Sequence, residues 1–253
     1  MHKIISIGGS DSIAGAGIQA DIRTACNLNV YCATVVTCIT SQNSKGVHSI
    51  HPLDNNIVKS QLDAIFEDFI PDVIKIGMLP NTQIIDTVIK SLTPFHSKIR
   101  IVYDPILAPT YGEAIFSNDQ PLHLKLMEDL TSISYIVTPN LKEISALNNI
   151  RSKYMIIKGG HGESKNCCTD ILYRIDEKGN KEEIMSCDSP RVMTENTHGT
   201  GCVYSTALAS YLSMQHTLSE SVILAQQFVV KALNDGKNRL FGSGYGPTLW
   251  ANI

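Results

Sequence analysis

Short apolar runs rich in β-branched residues alternate with longer segments of helical spacing along most of this chain. Several of the runs are apolar at consecutive positions, which is typical of strands that helices cover on both faces of a sheet. Asn81 and Asn140 precede two of the helical segments and are suitable N-caps. The alternation predicts an α/β fold with an open, mostly parallel central sheet and helices on both faces, a three-layer sandwich.

The positions of the expected elements follow from the same pattern. Strands are predicted over 3–7, 31–39, 73–76, 99–103, 135–137 and 155–158, and helices over 17–28, 53–68, 81–92, 121–130 and 140–147. Residues 169–185 alternate in two short stretches around a turn at 176–180, which predicts a hairpin. Two long helices, over 199–214 and 218–238, are expected to close the chain.

Composition limits the function classes. The 253 residues, 43% of them hydrophobic, are enough to bury one sizeable core, and we expect one domain over 1–253. The formal net charge of -3 offers no attraction to polyphosphate backbones, so nucleic acid is not expected as a partner. Neither a membrane-spanning run nor a signal peptide is expected. The seven cysteines lack CxxC spacing, which predicts reduced thiols and a cytoplasmic location.

Several familiar motifs are weak or absent. A GxGxxA pattern at Gly15, Gly17 and Ala20 could hold a dinucleotide, but the second strand ends without the acidic residue that such a site needs for the ribose. Neither a Walker A sequence nor a GxSxG elbow occurs. His48 and His51 lack a third ligand nearby and are interpreted as solvated loop residues, so no zinc site is proposed.

The strongest candidate for an anion site is the glycine-rich stretch Asn196-Thr197-His198-Gly199-Thr200-Gly201-Cys202 that runs into a predicted helix. Its glycines let the backbone approach a ligand, and the helix start directs unpaired N–H groups and a positive dipole end toward it. The same dipole is expected to favour the thiolate of Cys202 if the pocket is partly open there. The alternative is a glycine-rich helix cap beside a buried cysteine.

Charged residues are expected at neighbouring strand ends. Asp104 and Glu143 are carboxylates of the kind that magnesium takes together with phosphate oxygens, although each alone could be a helix cap or a surface acid. Lys158 adds a cation that could counter phosphate charge.

Seven ordered motifs then resemble, almost end to end, the hydroxymethylpyrimidine/phosphomethylpyrimidine kinases of thiamine biosynthesis, which belong to the ribokinase-like superfamily. The motifs are Gly8-Gly9-Ser10-Asp11-Ser12 with Ala14-Gly15-Ala16-Gly17-Ile18-Gln19-Ala20-Asp21, Ser41-Gln42-Asn43, Lys75-Ile76-Gly77-Met78-Leu79, Asp104-Pro105, Thr138-Pro139-Asn140 with Glu143, Lys158-Gly159-Gly160-His161 and Thr197-His198-Gly199-Thr200-Gly201-Cys202.

The resemblance implies a single ribokinase-like kinase domain that uses ATP and Mg²⁺ to phosphorylate 4-amino-5-hydroxymethyl-2-methylpyrimidine and then its monophosphate. It implies that Cys202 accepts the substrate proton while the amides of Gly199 and Gly201 hold phosphoryl charge. It implies that Gln42 reads the pyrimidine edge. The remaining expected residues are Gly9, Ala16, Asp21, Met78 and Ile106 around the pyrimidine, Asn140, Lys158 and Thr200 around the nucleotide phosphates, and Asp104 and Glu143 at magnesium. A homodimer is also what the resemblance implies.

Two departures and two alternatives accompany this resemblance. Residues 148–153 replace a helix that the family usually has, and residues 108–115 diverge from its flap, which leaves closure over the site open. The same branch contains pyridoxal kinases with a cysteine at this motif, although the Ser41-Gln42-Asn43 signature argues against that substrate. A catalytically silent sensor of nucleotide or pyrimidine is the other alternative.

Overall fold

The computed structural model describes residues 1–107, 120–162 and 166–248. The strands are β1 (Lys3–Asp11), β2 (Tyr31–Asn43), β3 (Gly46–Pro52), β4 (Val73–Ile76), β5 (Arg100–Tyr103), β6 (Ile136–Val137), β7 (Tyr154–Ile157), β8 (Cys167–Ile175) and β9 (Lys181–Pro190). The helices are α1 (Gly17–Asn27), α2 (Asn55–Asp68), α3 (Thr82–Leu92), α4 (Gln120–Thr131), α5 (Leu141–Ala146), α6 (Thr200–Ser213) and α7 (Leu218–Gly236).

The nine strands of the described residues form one sheet in the order β3-β2-β1-β4-β5-β6-β7-β8-β9. Neighbours from β2 to β7 pair in parallel. The β2–β3, β7–β8 and β8–β9 pairs are antiparallel. The predicted mostly parallel α/β sheet is therefore confirmed, and it directs the ends of β1, β4, β5, β6 and β7 to one edge.

Two apolar cores cover the two faces of this sheet. Leu62 of α2, Val88 of α3 and Leu130 of α4 pack in one core. Helices α1, α6 and α7 supply much of the other, with Ala20, Val203, Leu208 and Val222 among its members. Strand β4 supplies both cores, because Ile74 and Ile76 lie in the first and Val73 in the second. The consecutive apolar positions of the central strands follow from this double cover.

The local signals at two helix starts are confirmed. The Asn81 side chain accepts a hydrogen bond from Ile84 N at 2.9 Å. Asn140 forms a capping box with Glu143, because its side chain accepts from the Glu143 amide while Glu143 Oε2 accepts from Asn140 N. The latter contact already places Glu143 against the end of β6.

Strand β3 is the main difference from the sequence prediction. His48 and His51 lie on this strand and are exposed, so they are solvated as expected but do not lie in a loop. Val47 and Ile50 of the same strand border a cavity. Two histidines and a serine interrupt the apolar positions, which weakens the strand signal in the sequence.

The segment between α5 and β7 contains no helix, as expected. It is held instead at the end of α4, where Glu128 Oε1 accepts from the amides of Asn148 and Asn149 at 2.7 and 3.1 Å. Thr131 Oγ1 accepts from Arg151 N at 2.9 Å. The divergent flap at 108–115 lies outside the described residues. Within the described ranges, none of the helices is both long and apolar enough to traverse a bilayer.

Candidate active site

A cavity of about 610 Å³ opens at the carboxyl ends of the parallel strands. One part of its wall comes from the end of β1 and the loop after it, the end of β2 and the loops after β4 and β5. It includes Gly9, Ala16, Gln42, Met78 and Ile106. The other part comes from the ends of β6 and β7, the β8–β9 hairpin and α7. The N-terminus of α6 lies in the same wall. This is the position at which open α/β sheets bind ligands.

The α6 N-terminus has the backbone conformation of an anion site. Gly199 has a φ of 85°, and a Cβ on it would overlap the carbonyl oxygen of Gly15. No described residue accepts a hydrogen bond from the amides of Gly201 or Cys202, since the helical ladder begins with Val203 N donating to Gly199 O at 2.9 Å. These amides are therefore available to an anionic ligand in the cavity.

Lys158 and Asp104 flank this helix start. Lys158 Nζ lies 2.6 Å from Asp104 Oδ1, and Thr138 Oγ1 donates to the same oxygen at 3.1 Å. A Cβ on Gly201 would lie 3.4 Å from Asp104 Oδ2 and 3.5 Å from Lys158 Nζ. Gly201 thus lets the start of α6 approach the ion pair closely, and all three residues border the cavity.

Glu143 is the second carboxylate of this region and is 6% exposed. Burial raises its pKa to about 7, the Lys158 ammonium opposes that rise, and the negative charge of Asp104 adds to it. Two buried carboxylates that repel one another offer oxygen ligands to a divalent cation. No cluster of three or more His, Cys, Asp or Glu side chains suited to a metal occurs within the described residues. A cation held by Asp104 and Glu143 would take its other ligands from phosphate and water.

Asp11 and His198 join the two glycine-rich loops and were missed as site residues. His198 Nε2 donates to Asp11 Oδ2 at 2.8 Å, and the same carboxylate oxygen accepts from Ala16 N at 2.7 Å. Gln42 Nε2 lies 3.5 Å from His198 Nε2. Burial would raise the pKa of Asp11, but hydrogen bonds from His198, Gln42 and Ala16 N lower it. Both residues belong to glycine-rich motifs of the sequence, but only the folded chain brings them into contact.

Cys202 is buried and differs from the sequence expectation. Desolvation raises the pKa of its thiol to about 11, although the positive charge of the Lys75 ammonium lowers this pKa. Asp21 and Asp104 raise it further, while the Gly17 amide lowers it. The helix dipole was expected to favour the thiolate in a partly open pocket, and this buried thiol, with its raised pKa, does not meet that condition.

Asp21 lies beneath the cavity and is absent from its wall. It is fully buried, and its carboxylate accepts from Lys75 Nζ at 2.8 Å, from Thr206 Oγ1 at 2.6 Å and from Ser6 Oγ. Its carboxylate thus faces Lys75 and α6 and not the cavity, which differs from the predicted contact between Asp21 and the substrate. Lys75 belongs to the motif Lys75-Ile76-Gly77-Met78-Leu79, for which no role of the lysine was predicted. It borders the cavity, whereas Asp21 does not.

The other part of the wall contains residues that no motif indicated. Gln226 of α7 donates to Asp170 Oδ2 at 3.1 Å and to the Cys187 carbonyl at 2.9 Å. Asp170 Oδ1 accepts from Gly159 N at 2.8 Å. These bonds join the β8–β9 hairpin to α7 and to the end of β7. Asn140, Lys158 and Thr200, the residues expected near phosphates, also line the cavity.

The family model described as phosphomethylpyrimidine kinase matches residues 11–249. The chain belongs to this family. It is 34% identical over 266 residues to the hydroxymethylpyrimidine/phosphomethylpyrimidine kinase of Bacillus subtilis, a match that covers 98% of this chain and 94% of that protein. It is also 34% identical to the chloroplastic thiamine biosynthetic bifunctional enzyme TH1 of Arabidopsis thaliana, covering 97% of this chain but only 49% of that enzyme.

Solved structures of kinases share the fold. The ADP complex of Bacillus subtilis pyridoxal kinase superposes with a TM-score of 0.84 at 29% identity, over 98% of this chain and 97% of that one. Phosphomethylpyrimidine kinase from Clostridium difficile 630 superposes with a TM-score of 0.75 at 28% identity, over 92% and 99% of the two chains. The predicted family, the ribokinase-like fold and the phosphotransferase class are thus confirmed.

Proposed function

We propose that this chain transfers phosphate from ATP to 4-amino-5-hydroxymethyl-2-methylpyrimidine and then to the resulting monophosphate, as steps of thiamine biosynthesis. One observation supports the proposal most directly. Cys202, the open amides at the start of α6 and the side chain of Gln42 border a single cavity. A pyrimidine alcohol held at Gln42 would have its hydroxyl near the helix start, where phosphoryl charge is best accommodated.

The proposed transfer step uses Cys202 as the base. Its thiolate accepts the hydroxyl proton as the substrate oxygen bonds the γ-phosphorus, and the bond to ADP breaks. Phosphoryl transfer has a loose transition state, so positioning and charge stabilisation contribute more than nucleophile strength. With a thiol pKa of about 11, forming the thiolate at neutral pH costs roughly 5 kcal/mol. Cations close to the sulfur therefore affect the rate strongly.

Gln42 is proposed to recognise the aminopyrimidine edge, because its amide offers a donor and an acceptor side by side. Asp11 and His198 lie against its amide nitrogen and would fix the orientation of the group. Ala16, Met78 and Ile106 would pack around the ring. Gly9 also borders the cavity, and it packs so closely on Cys38 that a Cβ on it would come 2.8 Å from Cys38 Sγ.

Replacement of Gln42 by alanine is expected to lower kcat/KM for the hydroxymethylpyrimidine by about tenfold to a hundredfold, because a paired donor and acceptor are lost together. The matched control is Gln83→Ala, an exposed position on α3 that does not border the cavity. The measurement is steady-state ADP release. Activity of Gln42→Ala within about threefold of wild type would remove the proposed role.

The phosphates are proposed to lie between α6 and the end of β7. Gly199 and Gly201 would hold phosphoryl oxygens, and Asn140, Lys158 and Thr200 would contact the nucleotide. A structure of Staphylococcus aureus pyridoxal kinase with AMP-PCP and pyridoxal, which superposes with a TM-score of 0.81 at 26% identity, supports nucleotide binding by this fold. Asp104 and Glu143 would hold Mg²⁺, which when bound offsets the charge of the phosphates.

The raised pKa of Glu143 predicts that the stability of the metal-free protein depends on pH. Its pKa rises from 4.5 to about 7 on folding, so between these values the folded chain binds a proton that the unfolded chain has released. Stability is therefore expected to fall as pH increases through this window. Glu143→Gln keeps an acceptor for Asn140 N without a charge, and its Tm should exceed that of wild type by several degrees at about pH 8 but not at about pH 5. Parallel Tm profiles measured by calorimetry would contradict the assignment.

A coupled assay of ADP release tests the substrate. Purified protein with ATP and magnesium is offered the hydroxymethylpyrimidine, its monophosphate and pyridoxal in parallel. Turnover of both pyrimidines with little pyridoxal consumption is the expected result. Consumption of pyridoxal alone would assign the activity of the pyridoxal kinases with the same fold. Binding of a pyrimidine without any turnover would favour the sensor.

A further inference from the structure

Lys75 is a charged residue inside the most buried part of the sheet. Strand β4 reads Val-Ile-Lys-Ile, all four residues are buried, and Lys75 is 1% exposed. The alternation along the strand places its side chain on the same face as Val73, under α6 and α1. A lysine at such a position costs stability through desolvation unless it is paired. The position therefore calls for an explanation beyond packing.

The ammonium of Lys75 is fixed from one side only. Its Nζ donates to Asp21 Oδ2 at 2.8 Å, and this is its one hydrogen bond within the described residues. Lysine has three donors, so two remain. A Cβ on Gly77 would lie 2.9 Å from Lys75 Nζ, so the lack of a side chain at Gly77 leaves room for the ammonium. The same lysine borders the cavity.

The reacting thiol of the proposed step lies among these charges. Cys202 interacts electrostatically with Lys75, Asp21 and Asp104, and the Gly17 amide donates toward its sulfur. Lys158, at the end of β7, also interacts with it. Lys75 has the largest favourable effect on a negative charge at the sulfur. Lys158 is already paired with Asp104 at 2.6 Å, whereas Lys75 borders the cavity and has two donors that no described residue accepts.

We propose that Lys75, anchored by Asp21, is a positioning residue that stabilises negative charge at Cys202 when the sulfur takes the substrate proton. The inference rests on the proposed role of Cys202 as base. Ser6 and Thr206 complete the anchor by donating to Asp21, which fixes the carboxylate that holds the ammonium in place. Cys202 is the residue that accepts the proton, and Lys75 affects the reaction only through the charge on that sulfur.

A purely structural ion pair is the alternative, and the two explanations predict different signs. If the pair only supports packing, removal of either partner destabilises the fold and changes Cys202 in the same way. If Lys75 acts on the sulfur, loss of its positive charge should disfavour the thiolate, whereas loss of the Asp21 negative charge should favour it.

The rate at which iodoacetamide alkylates Cys202 separates these explanations, because only the thiolate reacts. The rate is followed by mass spectrometry of the Cys202 peptide from about pH 7 to pH 9 in the intact protein, with exposed Cys26 as an internal reference. We expect Lys75→Met to react about tenfold more slowly than wild type, and Asp21→Asn to react several times faster. The kcat of Lys75→Met should fall with the alkylation rate.

Each single variant leaves the other charge of the pair buried without its partner. The double variant Lys75→Met/Asp21→Asn removes both charges. Its alkylation rate should lie below that of wild type but above that of Lys75→Met, since the effect of Lys75 on the thiol is larger than that of Asp21. Equal rates in wild type and the double variant would overturn the inference, as would a slower rate in Asp21→Asn. The alkylation readout needs no substrate, so a failure of the proposed kinase function would leave this result interpretable.

Discussion

Cys202→Ala is expected to lower kcat for the hydroxymethylpyrimidine by a factor of about 10² to 10⁴, which is the usual contribution of a positioned general base. KM for ATP should change little, because the thiol is proposed to contact the substrate hydroxyl, whereas the proposed nucleotide contacts are Asn140, Lys158 and Thr200. The variant keeps the amides at the start of α6. A residual rate well above that of the uncatalysed reaction should therefore remain from positioning and charge stabilisation.

The fold should tolerate this change, and a matched cysteine checks that it does. Cys32 packs against the same core as Cys202, and burial raises the pKa of its thiol to about 12, but it does not border the cavity. Cys32→Ala is expected to keep wild-type kcat with a similar change in Tm. If Cys202→Ala also kept its kcat within about threefold, another group would have to accept the proton.

The sequence predicts the sheet well because its signals are local. The apolar run of β4 and the N-cap at Asn140 each involve residues close together along the chain, and each lies within a residue or two of its predicted place. The alternation of strands and helices also settles the parallel arrangement, since crossover helices require it. Strand β3 was missed because its polar residues face solvent on a sheet edge and remove the apolar pattern.

The contacts that organise the site connect distant parts of the chain, and no local pattern contains them. Asp11 and His198 are 187 positions apart, and Asp21 and Lys75 are 54 apart. Composition cannot show that Asp21 faces Lys75 rather than a ligand. One signal was available for Lys75, because a single charge inside a four-residue apolar strand is rare unless it is paired. The raised pKa of the Cys202 thiol could not be predicted for the same reason, because the sequence shows that the residue lies at a helix start but does not show how deeply it is buried.

Gly201→Ala should separate activity from stability more clearly than any other substitution at the site. The added Cβ would lie 3.4 Å from Asp104 Oδ2 and 3.5 Å from Lys158 Nζ, which is ordinary contact, so the fold needs no rearrangement. Alanine also suits the first turn of a helix better than glycine. Tm should therefore stay the same or rise. Activity should fall by about 10² or more, because the methyl group would stand where a phosphoryl oxygen approaches the α6 amides.

Two other glycines define how this result is interpreted. Gly160 borders the same cavity, and a Cβ there would meet nothing within 4 Å, so Gly160→Ala is the matched control and should retain activity. Gly199 is unsuitable, since its φ of 85° and its approach to the Gly15 carbonyl would strain any side chain. Loss of activity in Gly201→Ala with unchanged Tm would place the transferred phosphoryl group against α6. Full activity would show that the phosphates bind elsewhere in the cavity, and the Asp104–Lys158 pair would then be a structural contact.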